Sequence, residues 1–320
     1  MTEIRVLVVG CGRVGRIHLE RWRTTAGAIV ASVCDTVGAR ALEAADTVGA
    51  TAHTDWREAL AAGGIDVVDI CVPPTDHAPI ASAAFAQGRH VLCEAPLGRT
   101  PEEARAIVEA SARADRLLMP GFCHRFHPPV MVARDLVVND DLGRVAMFRA
   151  RFSSLLAGAG DRWLSDPVSS GGGVLLDSAI HAIDLFRHLV GEVEKASGRL
   201  ASFLPGLRVE DSAAILLESD AGAIGVVEAS WATPGGRNVV EIYGSAGACI
   251  VDYDEDCVEY KTADMAVWQK RANEGPDRYQ REIRHFADAV RGYERLRVTG
   301  ADGLRANEIV AGLYAGSPSS

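Results

Sequence analysis

Ile4-Arg5-Val6-Leu7-Val8-Val9, a short apolar run, leads straight into Gly10-Cys11-Gly12-Arg13-Val14-Gly15. Twenty residues beyond Gly15 stands Asp35, closing a second strand-like run, Ile29-Val30-Ala31-Ser32-Val33-Cys34. Strand, glycines, helix and acid in this order form a dinucleotide fingerprint, and each part has its own task. Gly10 permits a tight turn. Gly12 lets backbone approach a pyrophosphate. Gly15 lets helix and strand pack closely, and the phosphates sit on the amide-rich helix start. Asp35 is placed to accept hydrogen bonds from ribose hydroxyls. That favours NAD, because a 2′-phosphate would meet like charge there, although Arg40 nearby is a candidate phosphate partner and keeps NADP open. A glycine turn in an ordinary strand–helix unit is the plainer alternative; it is outweighed because all the parts occur together.

Working outward, the chain of 320 residues is long enough for two ordinary domains with cores of their own. Its 48% hydrophobic and 24% charged content are those of a soluble globular protein. The net charge of -10, with no dense Lys/Arg patch, argues against a nucleic-acid partner. Nothing approaches about 20 uninterrupted apolar residues, so no membrane span is expected. A strand starting at Ile4 leaves no room for a signal peptide, and a cytoplasmic protein is expected. The 7 cysteines include no C-x-x-C pair. Cys11, Cys34, Cys71 and Cys93 lie in or beside apolar runs and read as buried, reduced thiols.

The first ~120 residues alternate strand and helix signals, the mark of a parallel sheet with crossover helices. Expected strands are 4–9, 29–34, 66–72, 90–93 and 116–119, with helices at 39–48, 56–62 and 101–114. Thr100-Pro101-Glu102-Glu103 opens the last with a capping threonine, a first-turn proline and acids at the positive helix end. Beyond Gly121 the pattern changes to alternating segments at 145–152, 198–203, 213–218, 223–231, 238–243 and 248–253, a largely antiparallel sheet. A helix is expected at 174–190, and Ile283, Phe286, Ala287 and Val290 mark another. The fold class is therefore α/β. A Rossmann domain at 1–120 precedes a domain at 121–320 built on a mainly antiparallel open sheet. The loop 155–166 is a candidate cover for a site, and the small-residue tail from 315 is expected to fray.

Chemistry concentrates in three places. Ser169-Ser170-Gly171-Gly172-Gly173 precedes Asp177, His181, Asp184 and His188. On a helix, Asp177 and His181 share a face, so a carboxylate can polarise an imidazole that exchanges protons near neutral pH. Three glycines before it would let backbone approach a ligand. A core histidine is the competing reading for His181, and a metal set of Asp177, His181, Asp184 and His188 is weaker still; no metal is expected. The other two places, Cys71-Val72-Pro73-Pro74-Thr75-Asp76-His77 and His90-Val91-Leu92-Cys93-Glu94-Ala95-Pro96-Leu97, close strands at the edge where doubly wound sheets bind ligands. Taken singly, a proline turn or a helix-capping His77 explains each equally well.

Taken together, these motifs are joined by His18, Gly121-Phe122, Arg125-Phe126, Trp163 and Asp302-Gly303-Leu304. The order resembles the Gfo/Idh/MocA oxidoreductase family over nearly the whole chain. The resemblance implies an NAD- or NADP-dependent enzyme acting on a carbinol or carbonyl carbon of sugars, cyclitols and related polyols. It also implies a homodimer or homotetramer formed on the open sheet. Carried over, the cofactor side comprises Gly10, Gly12, Arg13, Val14, Gly15, Asp35, Thr36, Arg40, Cys71, Pro73, His77, Glu94 and Ala95. Asp177 and His181 are the catalytic pair, and Arg125 and Trp163 join them on the substrate side. One departure stands out. The family's Glu-Lys-Pro lysine, which contacts the reacting oxygen, is here Ala95. Either His181 carries proton transfer alone, or Arg125 or His124 reaches into the gap, or ordinary alcohol oxidation is lost. A dehydrogenase leads, ahead of a transient-oxidation lyase or hydrolase without net redox and of a non-catalytic dinucleotide-binding regulator.

Overall fold

The runs Ile4–Val9 and Val67–Ile70 are so dense in β-branched residues and leucine that both sheet faces must be covered. A computed structural model of the chain describes residues 3–156 and 163–316. By their contacts these residues form two compact units: those up to Cys123 with Pro276–Arg305, and those from His124 to Gly275 with those from Ala306 onward. The division read from the sequence placed 276–305 with the second part. The 157–160 run in the candidate cover loop and residues 317–320 of the tail lie outside the described residues.

The first unit holds six strands: β1 Ile4–Val9, β2 Ala28–Cys34, β3 Thr51–His53, β4 Val67–Ile70, β5 His90–Glu94 and β6 Leu118–Gly121. Their order is β3-β2-β1-β4-β5-β6. Every pairing is parallel. This is the doubly wound arrangement, and its order reverses between β1 and β4. Val6, Leu7 and Val8 are fully buried, as strands covered on both faces require. The helix Pro101–Ala114 starts as its sequence dictates, with the Thr100 side chain accepting the Glu103 amide, a cap worth about 1 kcal/mol.

The second unit holds β7 Val145–Ser153, β8 Val193–Ala201, β9 Ser212–Ser219, β10 Ile224–Ser230, β11 Asn238–Gly244, β12 Gly247–Asp252, β13 Cys257–Thr262 and β14 Gln269–Ala272. They form one sheet in the order β14-β13-β12-β11-β7-β10-β9-β8. Only β7 and β10 run parallel; the remaining neighbours are antiparallel. One face is covered by the helices Pro128–Val138 and Ile180–Leu189. Phe186 from the second meets Phe148 edge to face. The other face leaves Met147, Leu216, Ile224 and Tyr243 exposed, with Ile224, Met147 and Tyr243 in register across β10, β7 and β11.

The expected helix at 174–190 is not continuous. Residues Leu175–Ala179 form a π-turn, with the Ile180 amide reaching back to the Leu175 carbonyl, and the α-helix proper is Ile180–Leu189. Such widened turns recur at functional sites. No described helix is long and apolar enough to cross a membrane.

Candidate functional site

In the first unit the glycine loop is built as its residues predict. Gly10 sits at φ +97, and a Cβ there would lie 2.4 Å from the Cys71 carbonyl oxygen. A Cβ on Gly15 would lie 1.8 Å from the Gly10 carbonyl oxygen, so neither position admits a side chain. Gly12 differs. Its backbone is extended, and a Cβ would meet nothing within 4 Å. The protein itself does not need a glycine there, but a ligand lying against the loop would. The helix Arg13–Arg23 begins at Gly12 with no side-chain cap, leaving amides for an anion. The cradle therefore fits a dinucleotide pyrophosphate. Arg13 is exposed and Val14 half-buried at the start of that helix.

Asp35, at the end of β2, is buried. Its Oδ2 accepts the Cys11 amide at 2.9 Å, and its Oδ1 accepts the Val37 amide at 2.8 Å and Arg40 Nε at 3.1 Å. Arg40 is thus paired with the acid, and Thr36 beside it is exposed. Cys71, Pro73, Glu94 and Ala95 are half-buried along the carboxyl ends of β4 and β5. His77 is enclosed instead. Its Nδ1 lies 3.0 Å from the Pro96 carbonyl oxygen and its Nε2 2.9 Å from that of Val72. Burial pushes its pKa down, against the pull of those carbonyls. The ring ties the segments after β4 and β5 together.

In the second unit, Asp177 lies in the π-turn and His181 in the first turn of the following helix, both half-buried. Asp177 Oδ2 accepts the Ser178 hydroxyl at 2.9 Å, and Ser178 accepts Trp231 Nε1 at 3.2 Å. The carboxylate is oriented by a short chain of donors. The His181 ring packs against His124, centroids 4.9 Å apart. His124 Nδ1 is 2.9 Å from the Tyr253 hydroxyl, and Tyr253 stacks on His127. The structure thus groups His124, His181 and Tyr253, three side chains able to exchange protons.

Two sequence expectations change. Arg125, expected on the substrate side, is buried and forked onto Asp184, Nε to Oδ2 at 2.8 Å and Nη2 to Oδ1 at 2.6 Å. Asp184 is 1% exposed. A buried pair this tight is costly to break, about 3–5 kcal/mol, and it holds the Arg125 guanidinium on Asp184. Trp163, by contrast, is exposed.

The triple glycine is the second change. A Cβ on Gly172 would lie 2.1 Å from the Tyr314 hydroxyl, and one on Gly173 1.8 Å from the Glu210 carbonyl oxygen. These glycines admit neighbouring protein, not ligand. Glu210 Oε1 accepts the Gly173 amide at 3.0 Å, the Leu175 amide at 3.1 Å and the Tyr314 hydroxyl at 2.7 Å. Burial pushes its carboxyl up, against these donors. Glu210 thereby clamps the turn that carries Asp177. Gly173→Ala is expected to destabilise the protein by about 3 kcal/mol, since the Glu210 backbone would have to yield. Glu210→Ala should cost about 1–3 kcal/mol through its unsatisfied donors. Urea unfolding of both variants checks this.

Sequence reading passed over Glu210, Tyr253, Trp231 and Tyr314, which carry no motif. It also left Asp69 unused, although a carboxylate within the apolar run Val67–Ile70 is a signal in itself.

Comparison with known proteins follows the same lines. Residues 4–122 match the family model described as an oxidoreductase family with an NAD-binding Rossmann fold, and residues 130–250 match the GFO/IDH/MocA C-terminal domain. The chain is 33% identical to an inositol 2-dehydrogenase of Streptomyces avermitilis, covering 92% of this chain and 85% of that protein. It is 28% identical to a levoglucosan dehydrogenase of Pseudarthrobacter phenanthrenivorans over 79% of this chain and 75% of the relative. Among solved structures, a levoglucosan dehydrogenase in complex with NADH and L-sorbose superposes with a TM-score of 0.93 at 25% identity, covering 99% of this chain and 97% of that one.

Proposed function

This chain belongs to the Gfo/Idh/MocA family of oxidoreductases, and on that premise we propose that it is an NAD-dependent dehydrogenase of a sugar-like or cyclic polyol. The observation that carries the cofactor is the open space at Gly12 beside an uncapped helix start, with the Asp35 carboxylate at the end of β2. When bound, NAD supplies the acceptor for the hydride leaving the substrate carbinol carbon. Gly12 and the first amides of the helix Arg13–Arg23 would hold its pyrophosphate. Asp35 would accept from the ribose hydroxyls, and its charge disfavours a 2′-phosphate. The substrate class is supported by the relatives, whose names specify inositol and levoglucosan.

Proton handling falls to the second unit. His181 takes the hydroxyl proton at a ring nitrogen as the carbon is oxidised. Asp177, held by Ser178 and Trp231, is the carboxylate partner in this reading. His124 and Tyr253 extend the exchange away from His181. Arg125 holds its element through Asp184 and takes no direct part. Ala95 stands where the family motif carries lysine, and we read the half-buried space beside it as room for substrate. The outer sheet face with Met147, Ile224 and Tyr243 would pair with a second copy.

The test is NADH formation across a panel of sugars and cyclitols. Failure to reduce NAD with every one of them, while NAD still binds, overturns the reading. Ala95→Lys adds a second check. Its side chain would fill the proposed room, and turnover of the native substrate should fall about tenfold or more. A rise in turnover would show that the space is not used.

A further inference from the structure

The edge of the first sheet opposite the glycine loop carries a concentration of charge that the proposed reaction does not use. A cleft of about 520 Å³ opens there, at the amino ends of β1, β4 and β5, where Ile4, Asp66 and His90 line it. β1 is 6 residues long, so about 20 Å separate this cleft from the loop that follows Val9.

Three arginines line the cleft, Arg89, Arg116 and Arg291, against two carboxylates, Glu3 and Asp66. Arg291 is engaged. Its Nη1 lies 3.2 Å from Asp288 Oδ1, and its Nη2 donates to the carbonyls of Ala26 and Gly27. Arg116 is held differently. Its Nε donates to the Gly88 carbonyl and its Nη1 to that of Asp115, each at 2.7 Å. Two carbonyls orient that guanidinium without cancelling its charge. Arg89, the next residue after Gly88, has a buried Nε with no hydrogen-bond partner. Among the described residues no carboxylate pairs with Arg89 or Arg116. A polar nitrogen shut from water without an acceptor is unfavourable, and two uncompensated guanidiniums on one cleft repel each other. One bound anion relieves both.

His90 adds a donor. Its Nδ1 accepts the Leu117 amide at 3.0 Å. Burial pushes the ring's pKa down, and the Arg116 charge pushes the same way. The ring is therefore neutral, with its one proton on Nε2. The two acids bear on what the anion is attached to. Asp66 Oδ2 accepts the Arg5 amide at 2.9 Å, which leaves Oδ1 for another donor. Glu3 is exposed and pairs with no cation among the described residues. A bare phosphate would be repelled by both carboxylates, whereas hydroxyl groups donate to them. The volume also exceeds what a phosphate group fills.

We propose that this cleft binds a small phosphorylated polyol, its phosphate on Arg89, Arg116 and the His90 Nε2–H, and its hydroxyls on Glu3 and Asp66. The ligand and the nucleotide occupy opposite edges of one sheet, so both bind together. The inference does not depend on the dehydrogenase reading, since none of these residues is placed on the cofactor or substrate side.

Glucose 6-phosphate is the probe, titrated calorimetrically into the intact protein with and without NADH, beside inorganic phosphate. A Kd below about 1 mM is expected for the ester in both conditions. Inorganic phosphate should bind about tenfold more weakly or worse. Arg89→Gln and Arg116→Gln should each weaken the ester about tenfold or more and leave NADH affinity unchanged. Arg116 is exposed, so its variant decides the matter should Arg89→Gln fail to fold. The proposal is overturned by absence of ester binding at millimolar concentration, or by inorganic phosphate binding as tightly as the ester. Displacement of the ester by NADH overturns it too. So does equal ester affinity in wild-type and Arg116→Gln protein, which would place the ester in another site.

Discussion

Gly12→Ala is expected to fold as the wild-type protein does and to lose NAD affinity by at least tenfold, about 1.4 kcal/mol. The methyl group meets no protein atom within 4 Å, and the backbone there is extended, so an alanine is unstrained. Among the described residues it obstructs nothing, so the methyl would act on a ligand lying against the loop. Gly15→Ala makes the contrast. Its methyl would sit 1.8 Å from the Gly10 carbonyl oxygen, and the helix would have to lift off the strand. That variant should lose about 3 kcal/mol of stability. Thermal melts and nucleotide titrations of both variants separate the two roles. A Gly12→Ala protein that melts normally and binds NAD at wild-type strength would show that the loop is not the phosphate cradle.

His181→Ala should lower turnover by roughly 10² to 10⁴, the usual worth of a positioned acid or base. Binding of NADH should stay nearly intact, because the imidazole belongs to the second unit and the glycine loop to the first. His181 is half-buried and lies outside the helix's fully buried stripe of Ile180, Ile183 and Leu189, so the loss should not be one of folding. Turnover that survives the substitution would remove His181 from the mechanism.

The first sheet was legible because its strands announce themselves. β1 is an unbroken apolar run between two punctuations, and the structure places it at Ile4–Val9, as read. Thr51–His53 is too short to leave a pattern. Gln269–Ala272 is exposed at every position, and such an edge strand has no buried face to alternate against. The site was legible by residue and not by partner. Arg125 stood in its motif, but Asp184, which claims it, lies 59 residues away. Gly172 and Gly173 showed that a side chain was unwelcome, and a sequence cannot say whether ligand or protein takes the room.

The lone parallel pairing in the second sheet bears on how this enzyme comes into being. Strands β7 and β10 lie side by side although about 70 residues of chain separate them. The helix that presents the imidazole rests on both. That seat does not exist until a distant part of the polypeptide has returned, a slow closure in entropic terms. A nascent chain released before residue 230 would lack a floor for that helix and would still await residues 276–305, which complete the first unit.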